Sequence, residues 1–397
     1  MGENLPCNLT DEAGCLLFVF DKSAWIGRAR TKELIMAIKW RKVFVSEQRY
    51  EAAGVADVNG DGIPDIVSGA YWYEGPDFKR RHFVGDIMPI GEHYDDFSTI
   101  FMDINGNGRP DYVTGGAWGG SVRWRENPSD PEKPWPEHIV AECDPLERAC
   151  AWDVDGDDML EIVPNMPCGP LTIYKLKTDE HGKGMGEFVA HTIREEHQGH
   201  GLGAGDIAGN GRCDFVLNKG WLEAPEDPYN GQWLWHPEFE LGGEASTPML
   251  VVDVNRDGLC DIIVGHGHGY GLYWWEQTRQ NGKRGWLRHP IDPYISQYHD
   301  MRWVDIDGDG ENELVTGKRY RAHDGLDPGS GDDMGIYYFK WNGESFTKQI
   351  IDYGPVGQAS SCGIYFDVAD LTGNGLLDVI APGKDGLYVF FNEGNCR

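Results

Sequence analysis

An acidic pattern of eleven residues recurs seven times and constrains the fold more than any other feature of the chain. In each copy, position 1 is Asp, position 2 is apolar and position 3 is usually polar. Position 4 is usually Gly, position 5 is usually Asp or Asn, and position 6 is usually Gly. Positions 7 and 8 vary, position 9 is an acid, and positions 10 and 11 are apolar. The copies begin at Asp57, Asp103, Asp153, Asp206, Asp253, Asp305 and Asp370. Successive copies start 46 to 65 residues apart, and a unit of about 50 residues fits a four-stranded blade of a β-propeller.

Alternating apolar and polar residues place the strands within each unit. In the first unit, residues 52–57 lead into the acidic loop and 65–70 lead out of it. Residues 71–74 form an aromatic third strand, and 79–84 an edge-like fourth strand. The sequence therefore predicts an all-β protein, with a seven-bladed propeller over residues 38–397 and an N-terminal arm or extension over residues 1–37.

The seventh unit ends after its third strand, at residues 387–391. Its missing fourth strand has a counterpart at the other end of the chain, because residues 39–46 (KWRKVFVS) resemble the fourth strand at 79–85 (KRRHFVG). We therefore expect the N-terminal strand to complete the last blade and close the ring. Closure leaves no open sheet edge for aggregation.

The acidic loops are candidate calcium sites, because oxygen atoms at positions 1, 3, 5 and 9 of a flexible turn suit this ion. The alternative is a metal-free Asx-turn held by its own hydrogen bonds. The loops at Asp57, Asp153 and Asp305 offer the most carboxylates, whereas those at Asp206 and Asp370 are weaker candidates. The predicted calcium ligands are Asp57, Asn59, Asp61, Asp65, Asp103, Asn105, Asn107, Asp111, Asp153, Asp155, Asp157, Glu161, Asp253, Asn255, Asp257, Asp261, Asp305, Asp307, Asp309 and Glu313.

Composition excludes several classes of partner. The chain has 35 basic and 65 acidic residues, a net charge of −30, which disfavours binding to nucleic acid or anionic membranes. No apolar run approaches the roughly 18 residues of a membrane helix, and no signal peptide is visible, so the default expectation is a cytoplasmic protein. Nine scattered cysteines without a CxxC pair favour free thiols, with a Cys143–Cys150 disulfide as the alternative for an exported protein. The oligomeric state stays open.

The repeat resembles the FG-GAP/VCBS class of propellers over roughly residues 39–397. That resemblance implies calcium-binding loops, in a class that includes adhesion modules, lectins and lyases. Two runs, 265–276 (GHGHGYGLYWWE) and 316–329 (TGKRYRAHDGLDPG), are similar to the propeller part of the aldos-2-ulose dehydratase family. This second resemblance implies a carbohydrate-active protein.

The histidines divide between two environments. Those in or beside fourth strands, such as His289, are assigned to packing between strands. If the acidic loops lie at the bottom of the propeller, the connections between strands two and three and between successive blades lie on top. Seven of the 13 histidines map to this top face: His93, His197, His200, His266, His268, His299 and His323.

Several of these imidazoles are candidate ligands of a transition metal. His266 and His268 are two residues apart in a predicted extended segment and so point the same way, while His197 and His200 flank a short turn. Histidine suits zinc or another divalent transition metal better than calcium. The alternative is a hydrogen-bonded rim without metal. The predicted metal ligands are His197, His200, His266, His268 and His299.

Aromatic and cationic residues of the same face suit a sugar. Aromatic rings stack on pyranose faces, and cations neutralise a carboxylate or a developing enolate. The predicted substrate-binding residues are Tyr71, Trp118, Lys219, Trp221, Tyr270 and Arg321.

Two functions follow from this face. The first is a carbohydrate lyase or dehydratase that performs metal-assisted β-elimination on a keto-sugar or a uronate-type substrate, which requires a base and a cation. The second is a non-catalytic, calcium-stabilised module that binds a glycan or a protein. Clustered imidazoles favour the enzyme. Its predicted catalytic residues are His93, Tyr298, His299, Lys318, Arg319, Tyr320 and His323.

Overall fold

A computed structural model describes residues 37–242 and 244–395 of the chain. Within these ranges it contains thirty β-strands and one short 3-10 helix, Ala322–Gly325, and no α-helix. The all-β class predicted from the sequence is therefore confirmed for this part of the chain. The N-terminal arm predicted over residues 1–37 lies outside the described residues, apart from Ala37.

The strands follow the repeat along the chain. The first fifteen are β1 (Ile38–Ser46), β2 (Gly54–Ala56), β3 (Asp65–Ser68), β4 (Tyr71–Tyr73), β5 (Arg81–Phe83), β6 (Pro89–Ile90), β7 (His93–Tyr94), β8 (Ile100–Met102), β9 (Asp111–Gly115), β10 (Ser121–Arg125), β11 (Glu137–Glu142), β12 (Arg148–Trp152), β13 (Glu161–Asn165), β14 (Leu171–Thr178) and β15 (Gly184–Arg194). The others are β16 (Leu202–Gly205), β17 (Asp214–Leu217), β18 (Gly220–Glu223), β19 (Leu234–His236), β20 (Met249–Val252), β21 (Asp261–Gly265), β22 (Tyr270–Gln280), β23 (Lys283–Ser296), β24 (Tyr298–Val304), β25 (Glu313–Lys318), β26 (Met334–Trp341), β27 (Phe346–Gly354), β28 (Asp367–Ala369), β29 (Asp378–Gly383) and β30 (Gly386–Asn395).

Most strands form small antiparallel sheets of consecutive members. Five sheets have four strands: β2–β5, β8–β11, β12–β15, β24–β27, and β1 with β28–β30. Strands β16–β19 and β20–β23 form two further groups of four, which a parallel pairing of β16 with β20 joins into one eight-stranded sheet. Strands β6 and β7 form a separate ribbon. This succession of small antiparallel sheets is propeller-like.

The acidic pattern explains why strands one and two of each unit form a hairpin. The carboxylate of Asp57 accepts backbone N–H bonds from Gly60 and Gly62, at 2.8 and 2.9 Å. Both glycines have positive φ angles, 76° and 85°, a conformation that glycine adopts without steric cost. The buried carboxylate of Asp65 accepts the N–H of Val58 at 2.9 Å, which fixes the start of the loop to the strand that follows it.

A second repeated feature joins the third strand to the fourth. The imidazole of His82 stacks on Trp72 with ring centroids 3.8 Å apart, and its Nε2 lies 3.0 Å from a carboxylate oxygen of Glu74. Trp221 and His236 stack in the same way at 4.2 Å. Trp221 is fully buried, so its ring offers no face to a sugar, in contrast to the predicted role in substrate binding.

The core is divided into clusters that lie between neighbouring sheets. One cluster packs Ile263 and Leu272 of the β20–β23 group against Met301 and Leu314 of the β24–β27 group, and all four side chains are fully buried. Such packing holds the ends of successive sheets in fixed positions, which is a requirement for a site assembled from several of them.

The N-terminal strand lies beside the C-terminal one. Strand β1 pairs antiparallel with β30, with Arg41 opposite Phe391, and the guanidinium of Arg41 lies 4.1 Å from the centre of that ring. Lys39 and Arg41 both contact the carboxylate of Glu393, at 2.6 and 3.0 Å. Residues 39–46 therefore pair with the strand that the sequence predicts for them, the third strand of the last unit.

Two further expectations concern cysteines and membranes. The cysteines in residues 37–242 and 244–395 are free thiols, Cys143 and Cys150 among them, so the alternative of a disulfide between these two is not realised. Over the same ranges, no helix has the length and hydropathy needed to cross a bilayer.

Candidate functional site

Three histidines and one glutamate converge at one point, and each comes from a different four-stranded group. Glu147 directly precedes β12, His200 precedes β16, His268 lies between β21 and β22, and His299 belongs to β24. Their candidate ligand atoms all lie within 4.8 Å of one another. We call these four residues the His/Glu cluster.

The distances within the His/Glu cluster fit a coordination sphere. Nε2 of His299 lies 2.6 Å from Oε1 of Glu147, and the Nε2 atoms of His268 and His200 are 3.0 Å apart. Nε2 of His200 lies 3.3 Å from Oε2 of Glu147. Ligands at the 2.0–2.1 Å bond length of zinc stand roughly 3.3 Å apart in a tetrahedron. The four donors therefore fit one divalent transition-metal ion after small side-chain movements.

Two of the imidazoles are oriented by partners outside the cluster. The Nδ1–H of His200 donates to the carbonyl oxygen of Ala245 at 2.7 Å, and the Nδ1–H of His268 donates to Asp327 at 2.7 Å. A proton held on Nδ1 leaves the Nε2 lone pair directed into the cluster, which is the tautomer required of a metal ligand. Nδ1 of His299 is buried and has no hydrogen-bond partner among the described residues.

The electrostatics match this arrangement at His299 and Glu147 but not at His200. Burial alone would lower the pKa of His200, but the carboxylate of Glu147 raises it above its usual value, which favours the protonated imidazole. Burial lowers the pKa of His299 to about 4, so its imidazole is neutral at neutral pH. Burial alone would raise the pKa of Glu147, but the neighbouring histidines hold it well below its usual value. A neutral imidazole and an ionised carboxylate are the forms that bind a divalent metal.

The cluster is open along one edge. The side chains of His299 and His268 are 0% and 5% exposed, whereas those of Glu147 and His200 are 14% and 15% exposed. An ion with five or six ligands, bound by these four donors, would keep a coordination position at the edge formed by Glu147 and His200. Four protein ligands alone would complete a tetrahedral zinc site, so only an ion with a higher coordination number would have an open position here.

A second histidine shares the aspartate that orients His268. Oδ1 of Asp327 accepts a hydrogen bond from Nδ1 of His323 at 2.8 Å, and the ring of His323 stacks on that of His268 with centroids 4.4 Å apart. The side chain of His323 is 58% exposed. With Nδ1 engaged by a carboxylate, Nε2 of this exposed ring is suited to proton transfer.

The backbone that carries this histidine is strained. Arg321, His323 and Asp324 have positive φ angles of 51°, 45° and 55°, although none of them is glycine. Residues held in this region cost roughly 1–3 kcal/mol each and concentrate at functional sites. The segment also pairs with the neighbouring ribbon, because Arg321 binds both carboxylate oxygens of Glu92 at 2.7 and 2.6 Å.

A buried ionic network contains two of the predicted catalytic residues. The guanidinium of Arg319 donates two hydrogen bonds to Glu51, at 2.8 and 3.2 Å, and Nδ1 of His93 lies 3.3 Å from the same carboxylate. Nζ of Lys384 lies 3.3 Å from Nε2 of His93. Burial alone would raise the pKa of Glu51, but Arg319 and His93 hold it far below its usual value. Arg319 and His93 therefore lie in an internally compensated network.

Two further predicted catalytic residues are buried and engaged elsewhere. Nζ of Lys318 donates to Oγ of Ser296 at 2.9 Å and to the carbonyl oxygen of Gly329 at 2.6 Å, and burial lowers its pKa to about 8. The hydroxyl of Tyr298 donates to Asp292 at 2.8 Å. Burial, reinforced by Asp292, raises the pKa of Tyr298 well above its usual value, which opposes a role as a base.

Two predicted metal ligands lie outside the His/Glu cluster. Nδ1 of His197 contacts the carbonyl oxygen of Cys168. His266 packs beside Tyr273 with ring centroids 5.4 Å apart, and burial lowers its pKa. The structure thus brings together His200, His268 and His299 of the predicted set.

The remaining predicted residues line the surface in different ways. Trp118 and Tyr270 are 41% and 42% exposed, and the ring centroid of Trp118 lies 5.3 Å from that of His93. The hydroxyl of Tyr270 donates to Asp332 at 2.7 Å. The other three are the partly buried Tyr71 and Tyr320 and the exposed Lys219.

Sequence reasoning missed Glu147 and Asp327, although the repeat contains a signal for the first of them. Glu147, His200 and His299 each stand six residues before the first aspartate of the acidic loop that follows. The same position is occupied in the other repeats by Glu51, Phe97, Thr247 and Ile364. Alignment of the repeats on this position would have placed Glu147 beside the two histidines.

The acidic loops are of two kinds. In the loop at Asp153, the ammonium of Lys175 lies 2.5 Å from Asp155, 2.8 Å from Asp157 and 3.1 Å from Glu161. Lys340 makes the equivalent contacts in the loop at Asp305, with Asp307, Asp309 and Glu313. In both loops a lysine ammonium lies among the carboxylates at the place where the sequence predicts calcium. Three acids of each loop, Asp153, Asp155 and Glu161 or Asp305, Asp307 and Glu313, offer ligand atoms within 4.8 Å of one another, and calcium binding at these two loops stays a prediction.

The other loops differ at position 9, where a shorter aspartate replaces glutamate. Both oxygens of Asp65 accept backbone N–H bonds, from Val58 at 2.9 Å and Gly75 at 2.8 Å. The side chains at positions 3 and 5 stay at the surface, where Nδ2 of Asn59 donates to Asp61 at 3.1 Å. These contacts are those of an Asx-turn, and calcium binding at these loops stays a prediction.

Comparison with known proteins identifies the repeat. Residues 253–316 match the FG-GAP-like repeat family, and no curated protein matches the chain significantly. Among solved structures, the chain is similar to BBS1N in complex with ARL6DN in a crystal soaked with lead. The TM-score is 0.52 at 11% identity, over 91% of this chain and 99% of that one. At this identity the similarity supports a β-propeller-like fold alone.

Two further similarities are weaker. A mercury-soaked crystal of the same complex gives a TM-score of 0.49 at 12% identity, over 88% of this chain and 96% of that one. An auxiliary nutrient binding protein from Bacteroides thetaiotaomicron gives 0.44 at 10% identity, over 89% and 77%.

Proposed function

We propose that this protein is a metal-dependent carbon–oxygen lyase that performs β-elimination on a keto-sugar or uronate-type substrate at the His/Glu cluster. The observation that supports this most is the convergence of one carboxylate and three imidazoles, from four sheet groups, within 4.8 Å. Glu147, His200, His268 and His299 would hold a divalent ion, which would supply a Lewis acid for the substrate carbonyl.

Proton transfer is assigned to His323. Its exposed imidazole removes the proton from the carbon next to the carbonyl, the electron pair forms a carbon–carbon double bond, and the carbon–oxygen bond to the leaving group breaks. The same imidazole then returns the proton to the leaving oxygen. Asp327 accepts the hydrogen bond from Nδ1 of His323, so its carboxylate stabilises the imidazolium that forms.

Substrate reaches the cluster through the edge formed by Glu147 and His200, the two more exposed members. Trp118 and Tyr270 present exposed aromatic surface on loops that the repeat assigns to the same face. Aromatic surface of this kind packs against the C–H faces of a sugar. A carbohydrate is therefore the proposed partner.

We also infer a ring of seven blades. The five four-stranded sheets and the two halves of the eight-stranded sheet support this number. The pairing of β1 with β30 supports closure by the N-terminal strand. Calcium is proposed for the acidic loops at Asp57, Asp103, Asp153, Asp253 and Asp305, and the close grouping of three acids in the loops at Asp153 and Asp305 supports it there.

The proposed function is tested with purified protein, metal analysis and a spectroscopic assay. Keto-sugars and uronate-containing oligosaccharides are incubated with the protein and a series of divalent ions, and unsaturated products are followed by their ultraviolet absorbance. We expect His268→Ala to lose both metal and product, and His323→Gln to keep the metal and lose the product. His289→Ala, in an outer strand, should keep both.

The same experiment contains the outcomes that would overturn the proposal. Protein that binds the metal but forms no product from any of these substrates would have a structural metal site in a binding module. Protein that binds no metal would have a hydrogen-bonded cluster alone.

A further inference from the structure

A lysine is buried at the base of the loop formed by residues 319–333. Lys318 is the last residue of β25, and its side chain is fully buried. Burial lowers the pKa of Lys318 to about 8, and the carboxylate of Asp332 offsets only part of this effect. A buried ammonium group is normally paired with an acid, whereas the hydrogen bonds of Lys318 go to uncharged oxygens. Its burial therefore calls for an explanation beyond packing.

The ammonium group of Lys318 ties this loop to two strands. Its Nζ donates to the carbonyl oxygen of Gly329 in the loop at 2.6 Å, and to Oγ of Ser296, the last residue of β23, at 2.9 Å. The hydroxyl of Ser296 donates to the same carbonyl oxygen at 3.1 Å. Hydrogen bonds from a charged donor are shorter than neutral ones and roughly twice as strong, so Lys318 provides the stronger of the two ties.

The loop approaches these strands so closely that only glycine fits at the contact. Gly329 has a φ angle of 70°, which glycine adopts without steric cost. A Cβ atom at this position would lie 2.5 Å from Oγ of Ser296 and 2.6 Å from the hydroxyl oxygen of Tyr270. The backbone at Gly329 is therefore held between fixed neighbours.

The same turn carries Asp327, two residues earlier. The N–H of Ser330 donates to the carbonyl oxygen of Asp327 at 3.1 Å, and Oγ of Ser330 donates to that of Gly325 at 2.8 Å, which makes the turn compact. The carboxylate of Asp327 accepts hydrogen bonds from Nδ1 of His268 at 2.7 Å and of His323 at 2.8 Å. A displacement of the turn would therefore move the carboxylate that orients both imidazoles.

We propose that Lys318 is a positioning residue for the His/Glu cluster. Its ammonium group holds Gly329, and with it the carboxylate of Asp327, where that carboxylate fixes the Nδ1 proton of His268. Lys318 thus acts through Asp327 and does not touch the substrate, in contrast to the catalytic role predicted from the sequence. This inference rests on the metal site of the proposed function but requires no turnover.

The first test is the Zn²⁺ affinity of Lys318→Met, which removes the charge and keeps the length of the side chain. The carbonyl oxygen of Gly329 keeps two donors, Oγ of Ser296 and the N–H of Asp332 at 3.0 Å, so the melting temperature should not fall. We expect the Zn²⁺ affinity, measured by competition with a chelating dye, to fall about 3–10-fold, less than the roughly 10–100-fold typical of a partner bonded directly to a ligand. In a protein that already carries Asp327→Asn, Lys318→Met should cause no further loss.

The second test needs no metal. In protein kept in chelator, with histidine labelled by a heavy nitrogen isotope, NMR shifts of the His268 ring report which nitrogen carries the proton. The signals of His268 are those missing from the spectrum of His268→Ala. We expect the proton on Nδ1 in the unchanged protein and a mixture of both tautomers in Lys318→Met. The control is Lys348→Met, because Lys348 contacts Asp292 at 2.6 Å outside the loop; it should change neither the tautomer nor the Zn²⁺ affinity.

Two results would overturn the positioning role: a His268 tautomer that Lys318→Met leaves unchanged, or a loss of Zn²⁺ affinity that adds in full to that of Asp327→Asn. A lower melting temperature with the tautomer unchanged would make Lys318 a structural residue alone. If the unchanged protein binds no Zn²⁺ or other divalent ion, the proposed function fails, and the tautomer of His268 in Lys318→Met still decides the role of Lys318.

Discussion

His299 and Glu147 meet with Nε2 2.6 Å from Oε1, although 152 residues separate them in the chain. The residues that follow them, Asp300 and Arg148, form a second pair, with Nη1 of Arg148 2.7 Å from Oδ1 of Asp300. Two consecutive residues of one repeat thus face two consecutive residues of another. The first pair belongs to the His/Glu cluster, and the second is a buried ion pair directly beside it.

The second pair ties several sheets together, which gives a stability prediction. Arg148 also donates to the carbonyl oxygens of Ile364 and Thr247, at 2.8 and 3.2 Å. Arg148→Met removes the cation and leaves the fully buried Asp300 with fewer partners. Removal of one member of a buried pair costs about 3–5 kcal/mol, so we expect a loss of about 3 kcal/mol in urea denaturation.

The control for this change is Lys177→Met. Lys177 contacts Glu187 at 2.7 Å on the surface, and exposed ion pairs contribute little, so the denaturation midpoint should stay where it is. A loss no larger for Arg148→Met than for this variant would show that the pair between Arg148 and Asp300 does not hold the sheets together.

Asp327 gives a prediction about metal affinity. Because its carboxylate orients His268 through the 2.7 Å hydrogen bond to Nδ1, Asp327→Asn should weaken metal binding. Partners of this kind change affinity by about 10–100-fold. Competition with a chromogenic chelator measures the metal affinity of the Asp327→Asn protein. The control is Asp332→Asn, because Asp332 lies in the same loop but accepts its hydrogen bond from Tyr270. The metal affinity of this variant should equal that of the unchanged protein. Equal losses of metal affinity in both variants would point to an effect of the loop as a whole.

The sequence predicted the repeated unit and three of the four residues of the His/Glu cluster, because both depend on local pattern. The acidic loop fixes a hairpin through bonds of its own side chains, so seven copies predict seven similar units. The positions of His266, outside the His/Glu cluster, and of Trp221, fully buried, differ from the expectation for physical reasons. Strand β21 ends at Gly265, so residues 266 and 268 do not alternate as in an extended strand. Trp221 belongs to β18, where the ring stacks on His236.

Carboxylates were the harder part of the prediction. With 65 acidic residues in the chain, Glu147 has no distinguishing neighbour in the sequence and becomes visible only when the repeats are aligned.

The lysines of the acidic loops are equally hard to identify from the sequence. Lys175 and Lys340 occupy the third-strand position at which other repeats have a glutamate, such as Glu74 or Glu223. The two repeats that contain this lysine are also the two that have glutamate at position 9 of the acidic loop. The lysine and the glutamate are distant in the chain, so their correlation is not visible in a local pattern.

Lys340 provides a test of the inserted-lysine loops. Lys340→Met leaves Asp307, Asp309 and Glu313 facing one another without a cation, so we expect a lower melting temperature in the presence of a chelator. Calcium should then restore it, since an ion at a hundredfold excess over its dissociation constant contributes about 2.7 kcal/mol. Differential scanning fluorimetry with and without calcium measures the effect.

Lys177→Met is again the matched control, and its melting temperature should not gain a new dependence on calcium. A Lys340→Met protein that is destabilised but not restored by calcium would show that the loop does not adapt to a divalent cation.

The buried aspartates at position 9 predict how the metal-free protein responds to pH. Burial raises the pKa of Asp65, Asp111 and Asp214 to about 6 and that of Asp261 to about 7, above the values of the unfolded chain near 3.9. A carboxyl group of this kind contributes stability that is fully present below its unfolded pKa. That stability is lost as the pH rises through the folded pKa. His299 and His266, whose pKa values are lowered by burial, act in the opposite direction. Asp96 and Glu313, whose pKa values burial raises to about 6 and about 7, act in the same direction as the four aspartates, so the raised groups outnumber the lowered ones.

We therefore expect the melting temperature in chelator to rise as the pH falls from about 7.5 to 5.5. Asp214→Asn should flatten this dependence, because it removes one of the buried carboxyl groups that titrate in this range, and its loop is among the weakest candidates for calcium. Calcium added to the unchanged protein should also flatten it, by holding the carboxylates of the other loops ionised. A melting temperature that falls steadily over this range, with the same slope in Asp214→Asn, would mean that these aspartates are ionised in the folded protein and that their backbone N–H partners outweigh burial.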